Sequence, residues 1–507
     1  FEQQLMLAVY QLGAFVLVTA AMVSLNQLQT VARPLPSLKL ASLLVLQAVP
    51  LTLVMFLLFP RMAPLWTVPL PGSASTGLSD VVRPGDIANL TQSDELAFRV
   101  VVEGQMPALS ERYWRGLVFS DFADGGWKAR NRQPVRDYPT SRSSDLRYEV
   151  LLEPTMQTWL FALDNSTSEH ANVYLTEDGR LESTDPVMSV FRYRAVQHQD
   201  ERRREPLPES VRKRETAIDP EANPRLQALG PALLEAHGSP MAMTRAILSH
   251  IREAPFSYTL SPPAYPGRDA FDGFWFDGRA GFCEHYASAY VYLMRSAGIP
   301  ARLVGGYLGG EVNELSGHLI VRQYDAHAWA EFYDPELGWF RVDPTGAVAP
   351  ERIERGLTAA LSSSDLASLP LFSSARIGDW DIAASVLRWM DSVEHRWNLW
   401  VVGYDSNVQY RFLGDLLGEV SAARIGMAIL MFGGLGLGLV AVFIFWGRRP
   451  VNRHPVERAF RGFSNALAGY GYSKRPEESP GAFVRRVAEE VGLNEAQVGP
   501  VIAELNT

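Results

Sequence analysis

The stretch that decides the fold is Arg279-Ala280-Gly281-Phe282-Cys283-Glu284-His285, followed by an apolar run to Arg295 and then by Gly298-Ile299-Pro300. Glycine before such a run and glycine followed by proline after it are typical helix boundaries. The pattern predicts a helix of about 14 residues with Cys283 in its first turn. Free N–H groups and the helix dipole at that end stabilise an anion, so we expect a lowered thiol pKa.

A second stretch supplies a base for this cysteine. Residues 325–333 are typical of a strand, 334–338 of a turn and 339–343 of the returning strand. If the hairpin is centred near Pro335, antiparallel partners have numbers summing to about 670, and Asp343 lies directly opposite His327. A carboxylate there would hold the imidazole in one tautomer and leave its other nitrogen for the thiol. A register shift of one residue would remove this contact.

Other interpretations of these residues remain open. A single cysteine is commonly a buried, inert side chain. His285 is a rival base, but it lies two residues from Cys283 on one helix, where side chains do not face each other. His318 is a weaker rival, and a metal site of His318, Asp325 and His327 lacks a fourth ligand. We therefore predict Cys283, His327 and Asp343 as catalytic residues, with no metal and no cofactor.

Further short blocks accompany these residues: 293–302, Gly306-Tyr307, His327-Ala328-Trp329 and Val342-Asp343-Pro344-Thr345. Together with the cysteine stretch they resemble the transglutaminase-like superfamily over about 245–346. The resemblance is closest to bacterial inner-membrane proteins with a periplasmic transglutaminase domain between membrane spans. It implies a papain-like core and a Cys–His–Asp triad at the three residues above.

The resemblance also brings expectations about cofactors. Larger animal transglutaminases add a calcium site and a tryptophan upstream of the cysteine. This sequence has no acidic loop with calcium-ligand spacing, so calcium dependence is not implied. Trp275 is a candidate for the role of the tryptophan. Phe274, Phe276 and Trp329 are further aromatic residues that we expect either to exclude water from the site or to form core.

Three uncharged apolar stretches, 5–25, 40–59 and 425–446, are long enough to cross a membrane. Arg33 and Lys39 lie between the first two, and five arginines follow the third. Because cytoplasmic flanks carry the excess of Lys and Arg, we expect 60–424 to be periplasmic and the C-terminal tail cytoplasmic. The sequence opens on Phe1 directly before a span, so we also expect an odd number of spans upstream.

The predicted fold class is α+β, with a papain-like domain, an N-terminal β-rich domain and flanking transmembrane helices. Alternating apolar residues near 96–102, 146–152 and 191–195 indicate the strands of the β-rich domain, in which nothing indicates chemistry. The predicted order is two transmembrane helices with a short cytoplasmic loop (1–61), linker (62–87), β-rich domain (88–205), catalytic domain (206–350), helical periplasmic segment (351–424), transmembrane helix (425–446) and cytoplasmic tail (447–507). We expect the tryptophans of the helical segment to pack on the domain, with a position near the membrane interface as the alternative.

Composition narrows the possible functions. The 507 residues carry a net charge of −9, which argues against nucleic-acid binding, and one cysteine excludes an intramolecular disulfide. We predict an inner-membrane acyltransferase that forms a thioester with a glutamine-type carboxamide and passes the acyl group to an amine. Its expected partners are glutamine- and amine-bearing peptides or proteins, peptidoglycan peptides among them. The alternatives are a cysteine protease or amidase with water as the acceptor, and a non-catalytic envelope scaffold.

Overall fold

The computed structural model describes residues 5–25, 34–59, 77–83, 85–123, 125–130, 134–135, 145–198, 206–336, 338–368, 381–402, 406–418, 421–447, 455–494, 496 and 499–500. The predictions for the loop at 26–33 with Arg33, for the linker at 62–76 and for the basic flank at 448–454 lie outside these residues. Two compact units are formed, one from residues 1–9 and 62–408 and one from residues 10–61 and 409–507.

The strands all belong to the first unit. They are β1 (Val81–Val82), β2 (Leu96–Glu103), β3 (Tyr113–Ala123), β4 (Gly126–Ala129), β5 (Leu146–Leu152), β6 (Trp159–Leu160), β7 (Ala162–Leu163), β8 (Ser166–Ser168), β9 (Val173–Leu175), β10 (Leu181–Ser183), β11 (Phe191–Gln197), β12 (Ser257–Tyr258), β13 (Ala280–Gly281), β14 (Ala301–Leu308), β15 (Glu311–Val312), β16 (Leu319–Arg322), β17 (Ala326–Asp334) and β18 (Gly338–Val342).

The helices are numbered in the same way along the chain. They are α1 (Leu5–Leu25), α2 (Pro34–Leu58), α3 (Asp86–Leu90), α4 (Glu209–Glu215), α5 (Pro224–His237), α6 (Pro240–Glu253), α7 (Ala270–Asp272), α8 (Cys283–Ser296), α9 (Thr345–Val348), α10 (Pro350–Glu354), α11 (Leu357–Ala360), α12 (Ser363–Ser368), α13 (Asp381–Trp397), α14 (Ser406–Leu417), α15 (Ala422–Gly447), α16 (Pro455–Ala468) and α17 (Pro480–Val491). Short 3₁₀ turns span Leu109–Glu111 and Gln323–Asp325, and π-helical turns span Gly273–Gly278 and Asn398–Val402.

The main sheet joins the β-rich region to the catalytic region. Its strand order is β1-β4-β3-β14-β17-β18, so β3 pairs directly with β14. Gly306 on β14 permits this pairing, because a Cβ there would overlap the carbonyl of Trp114 on β3. The boundary near 205 stays a prediction, but the strands on its two sides form one sheet with a continuous hydrophobic core.

The second sheet is attached to helix α13 by a buried ion pair. Its order is β15-β16-β2-β5-β11-β8. Arg99 alternates with the apolar residues of β2, yet its side chain is 2% exposed because α13 lies over it. Arg99 Nη2 donates to Asp391 Oδ1 on α13 at 2.8 Å. The expectation that the tryptophans of this segment pack on the domain is wrong for Trp389 and Trp400, which are 60% and 77% exposed.

Three helices are long and apolar enough to cross a membrane. The helix α1 coincides with the predicted stretch 5–25, whereas α2 begins at Pro34 rather than at residue 40. Proline is well suited to the first position of a helix, and Lys39 inside α2 can extend its charged end away from the apolar segment. In the second unit, Leu58, Leu413 and two residues of α15 form a small buried cluster, which packs α2 against α15.

Candidate active site

Cys283 is the first residue of α8, as the sequence predicts, and is completely buried. Its backbone N–H therefore has no acceptor within the helix. The backbone N–H of Ala328, on the neighbouring β17, favours the thiolate and partly offsets the effect of burial on the pKa of Cys283. The expected lowering of the thiol pKa is wrong: burial, and then the adjacent Glu284 carboxylate, raise the pKa of Cys283 well above its ordinary value. Loss of solvent outweighs the helix dipole, so the resting sulfur is a thiol.

His327 and Asp343 meet, but by a different register from the predicted one. In the hairpin, Ala330 pairs with Val342 and Asp334 with Gly338, so partner numbers sum to 672 rather than 670. A shift of two keeps both side chains on one face of the sheet and makes them diagonal neighbours. His327 Nε2 lies 2.7 Å from Asp343 Oδ2. The predicted contact is therefore present, although the predicted register is wrong.

The tautomer of His327 follows from the charge of Asp343. Hydrogen bonds and the histidine lower the pKa of Asp343 below its ordinary value despite burial. An ionised carboxylate only accepts hydrogen bonds, so His327 Nε2 carries the proton and donates. His327 Nδ1 is then a bare, buried acceptor, and no hydrogen-bond partner satisfies it among the described residues. Burial also lowers the pKa of His327, which keeps the resting imidazole neutral.

Tyr113 completes the environment of Asp343, and sequence reasoning missed it. Its hydroxyl donates to Asp343 Oδ2 at 2.8 Å, while the backbone N–H of Thr345 donates to Oδ1 at 3.0 Å. The Tyr113 ring packs edge-on against Trp329, with ring centroids 5.2 Å apart. Tyr113 belongs to β3, more than 200 residues before its partner. No local pattern could have shown that the β-rich region supplies a side chain here.

Two further polar groups surround Cys283. The Tyr258 ring stacks on Phe282 at 4.9 Å, and its buried hydroxyl has no hydrogen-bond partner among the described residues. Burial raises the pKa of Tyr258 well above its ordinary value, and negative charge on Cys283 and Asp343 raises it further. Arg352 is completely buried and donates to the carbonyls of Leu308 and Asp325. Its positive charge opposes the rise in the pKa of Cys283.

Glu284 is a second residue that sequence reasoning quoted without a role. Its side chain is 3% exposed. Its Oε1 accepts from the backbone N–H of Gly85 at 2.8 Å, and the Cys283 thiol lies 3.7 Å from Oε2, at the range of a sulfur hydrogen bond. Burial raises the pKa of Glu284 to about 7. Its position directly after the cysteine was the only available signal.

The rival bases have other partners. His285 Nδ1 accepts from the backbone N–H of Phe282 at 3.3 Å, and burial lowers the pKa of His285 to about 4. His318 lies beside Asp391 of α13 rather than beside His327. Within the part of the chain that the structure describes, no three His, Cys, Asp or Glu side chains are grouped to hold a metal ion.

The aromatic residues expected near the site fall into two groups. Trp329 lies beside His327, with ring centroids 6.4 Å apart, and Phe274 packs on His285 at 5.6 Å. Trp275 instead stacks on His250, and Phe276 packs under the guanidinium of Arg225. The described contacts of Trp275 are thus core contacts and give no support to a role beside the cysteine.

The fold and the family models define the class of the protein. Residues 227–344 match the model of the transglutaminase-like superfamily. Residues 1–204 match the model of the TgpA N-terminal domain. The two matches cover both sides of the shared main sheet, so the α+β fold with a transglutaminase-like domain, a β-rich N-terminal region and apolar N-terminal helices is confirmed.

Known relatives narrow the class further. A protein-glutamine gamma-glutamyltransferase of Pseudomonas aeruginosa is 39% identical over 495 residues, which are 96% of this chain and 73% of that protein. The crystal structure of the periplasmic domain of TgpA from the same organism has 43% sequence identity and a TM-score of 0.54, covering 56% of this chain and 99% of that one. An uncharacterised Bacillus subtilis protein, YebA, is 35% identical over 127 residues, 24% of this chain and 17% of that protein. The chain belongs to the TgpA-like family of transglutaminase-like proteins.

Proposed function

We propose that this chain is a membrane-anchored acyltransferase of the transglutaminase type, with Cys283, His327 and Asp343 as its catalytic residues. The observation that carries the proposal is the 2.7 Å contact of His327 Nε2 with Asp343, which leaves Nδ1 bare and buried. The thiol lies on the same side of the core, since the backbone N–H of Ala328, the residue that follows His327, lowers the pKa of Cys283. The gamma-glutamyltransferase activity in the name of the Pseudomonas relative is the second support.

The first half-reaction follows from the protonation states. His327 Nδ1 takes the thiol proton as the sulfur bonds to the carbon of a glutamine-type carboxamide, and the C=O electron pair moves onto oxygen. The Cys283 backbone N–H and the Tyr258 hydroxyl are the donors we assign to this oxyanion. When the tetrahedral intermediate collapses, the C–N bond breaks and the imidazolium protonates the departing ammonia. Asp343 stabilises the imidazolium through the Nε2 hydrogen bond.

The second half-reaction reverses these roles. An amine attacks the thioester carbon and its proton passes to His327. The C–S bond breaks, the electron pair returns to sulfur, and the imidazolium protonates it to restore the thiol. Because the resting thiol and imidazole are both neutral, proton transfer must accompany attack rather than precede it. The net change is exchange of ammonia for an amine on the glutamine side chain.

The cellular setting is also part of the proposal. Three apolar helices of spanning length and a relative whose solved domain is periplasmic support a multi-pass inner-membrane protein. We place the catalytic unit in the periplasm and the C-terminal tail in the cytoplasm. Its substrates are glutamine- and amine-bearing peptides or proteins, among which peptidoglycan peptides are accessible on that side of the membrane.

The test uses the full chain in detergent with a glutamine peptide whose own amine is blocked. Ammonia release and incorporation of a labelled alkylamine are measured together. Wild type is expected to show both, and Cys283→Ala neither. His285→Ala is the matched control, because it lies on the same helix and should retain both activities. Peptide cleavage without amine incorporation would instead identify a protease or amidase, and activity retained in Cys283→Ala would refute the assignment.

A further inference from the structure

Helix α13 is amphipathic, but its polar side is the one that is buried. Asp391 accepts from Arg99 of the second sheet at 2.8 Å, and the ring of His395 stacks on His318 with centroids 3.9 Å apart. Ser392, between these two residues of α13, is buried as well. A helix on the surface of a soluble domain normally buries its apolar stripe and leaves its polar side in water. The orientation of α13 is therefore the reverse of the usual one.

The outward side of α13 carries an apolar stripe. Its members recur at positions i, i+3, i+4 and i+7, the spacing of one helix face, and are Val386, Trp389, Met390 and Val393. Val386 and Trp389 are exposed, and so is Trp400 in the π-helical turn that follows α13. We call the four residues of the stripe, together with Trp400, the tryptophan face. Adjoining large apolar side chains in water mark an interaction surface.

In the second unit, helix α14 lies at the ends of two spanning helices. Gln409 Nε2 donates to the carbonyls of Leu57 and Phe59, at the last turn of α2, at 3.1 and 2.8 Å. Leu413 of α14 is buried in a cluster with the end of α2 and the start of α15. The ends of spanning helices lie at the level of the lipid headgroups, so α14 belongs to that level.

The chain connects the tryptophan face to this level. Trp400 precedes Gln409 by nine residues. Nine residues extend over no more than about 30 Å, so the face cannot move far from the headgroups. Lipid is thus available to it at a high effective concentration, without the cost of recruiting a separate partner.

The side chains of the face also suit lipid. Tryptophan is enriched at the membrane–water interface, because its ring is apolar and its N–H can bond to headgroups or water. Arg396, which is exposed beside the stripe, supplies a positive charge for lipid phosphates. The acidic residues Asp391 and Glu394 are instead turned toward Arg99 and bonded to it.

We infer that the tryptophan face lies in the periplasmic headgroup region of the membrane that holds α2 and α15, and that its partner is lipid rather than a protein. The inference rests on the membrane placement proposed above and does not depend on acyl transfer. Helices of this kind lie in the plane of the interface with their apolar face at the boundary of headgroups and acyl chains. Since α13 is attached to the second sheet through Arg99, the catalytic unit gains an attachment to the membrane besides the chain itself.

The test measures the depth of one residue in a bilayer. The full chain with Cys283→Ala is incorporated, one molecule per nanodisc, in phosphatidylcholine and phosphatidylglycerol, so that no second protein is present. A fluorophore on Val386→Cys should be quenched by nitroxides on the lipids and shielded from iodide in the water. Ala236→Cys is the matched control, because Ala236 is an exposed helical residue of the same unit on α5, which packs against α8. Its label should be quenched by iodide and not by the lipids.

A second comparison separates binding to lipid from simple tethering. With Trp389→Ser and Trp400→Ser together, the label on Val386→Cys should lose its lipid quenching and become accessible to iodide. With Trp389→Phe and Trp400→Phe together, much of the lipid quenching should remain. Both tryptophans are exposed, so the two proteins should unfold in detergent at the same temperature as the parent chain.

The possible failures are distinguishable. If iodide reaches the label on Val386→Cys in an incorporated chain and lipid nitroxides do not quench it, the inference is overturned while the spanning helices stand. Lipid quenching that persists in the serine variant also overturns it, because chain length alone would then bring α13 to the bilayer. A chain that does not enter nanodiscs overturns the proposed membrane placement together with this inference. Absence of acyl transfer in wild type would refute the proposed reaction and leave these measurements unaffected.

Discussion

Two buried histidine–aspartate pairs lie in the same unit of this protein, and they differ in what surrounds them. His327 Nε2 lies 2.7 Å from Asp343, and His318 Nε2 lies 2.9 Å from Asp391, although the second contact is not aligned as a hydrogen bond. The carboxylate of Asp391 also accepts from Arg99 and from Asn313, at 2.8 and 2.9 Å. That pair attaches α13 to the second sheet.

The two pairs differ in the surroundings of the histidine Nδ1, the ring nitrogen that does not face the aspartate. His318 Nδ1 lies 2.9 Å from Ser316 Oγ, and the ring stacks on His395 with centroids 3.9 Å apart. His327 Nδ1 has no hydrogen-bond partner among the described residues. The same residue types therefore act as a structural link where Nδ1 has a hydroxyl partner and the carboxylate also binds Arg99 and Asn313, and we propose a base where Nδ1 is left bare. Residue identity alone does not distinguish them.

The largest expected effect separates the two histidines directly. His327→Ala should lower kcat/KM for ammonia release by about 10³-fold or more, because it removes the imidazole that takes the thiol proton and protonates the departing ammonia in the proposed mechanism. His318→Ala should retain nearly the wild-type value, since it changes only the link to α13. Both are measured with the blocked glutamine peptide. Equal losses in the two variants would contradict the distinction between a base and a structural histidine.

When stability rather than activity is measured, substitution of Asp391 should have a larger effect than substitution of Asp343. Asp391→Ala leaves Arg99 buried without its main partner, and we expect the free energy of unfolding to fall by about 3 kcal/mol. Asp343→Ala leaves no buried cation unpaired, so its larger effect should be on kcat. Thermal unfolding in detergent, compared with activity per folded molecule, checks both. An unchanged melting temperature for Asp391→Ala would show that α13 is not held by this charge.

The parts of the site that sequence reasoning recovered are those set by local pattern. The start of α8 at Cys283 and the hairpin of β17 and β18 depend on glycine, proline and alternating apolar residues close in sequence. The register was off by two because turn composition fixes the centre of a hairpin only approximately. His327 and Asp343 still met, since a shift of two preserves the face.

Contacts between distant segments could not be recovered in this way. Tyr113 reaches Asp343, and Gly85 reaches Glu284, only because the main sheet joins the two ends of the unit. Arg99 is buried because α13 covers a strand face that its own sequence marks as solvated. The pKa of the thiol depends on complete burial, which the sequence of a helix N-terminus does not report.

Tyr113→Phe should lower activity moderately, because it changes the hydrogen bonds of the His327–Asp343 pair. Loss of its hydrogen bond should lower kcat about 5- to 10-fold. More of the negative charge on Asp343 Oδ2 would then face His327 and raise its pKa. Since activity requires neutral His327, the acid limb of the pH–rate profile should move to higher pH. Tyr307→Phe, which loses a buried hydrogen bond to Gln323, is the control and should leave the limb in place.

The smallest expected effect is a weakening of the attachment of α13, beside the His318–Asp391 pair, at acid pH. Burial and then His318 lower the pKa of His395 to about 3, below a reference of about 6.5. A histidine with a depressed folded-state pKa binds more protons when released, so its contribution to docking is complete above pH 6.5 and is lost as the pH falls toward 3. The protection factors of the α13 amides, which are corrected for the intrinsic exchange rate at each pH, should therefore decrease over that range, with less decrease in His395→Gln. Equal pH dependence in both proteins would assign the effect to the carboxylates that face the ring, chiefly Asp391, instead.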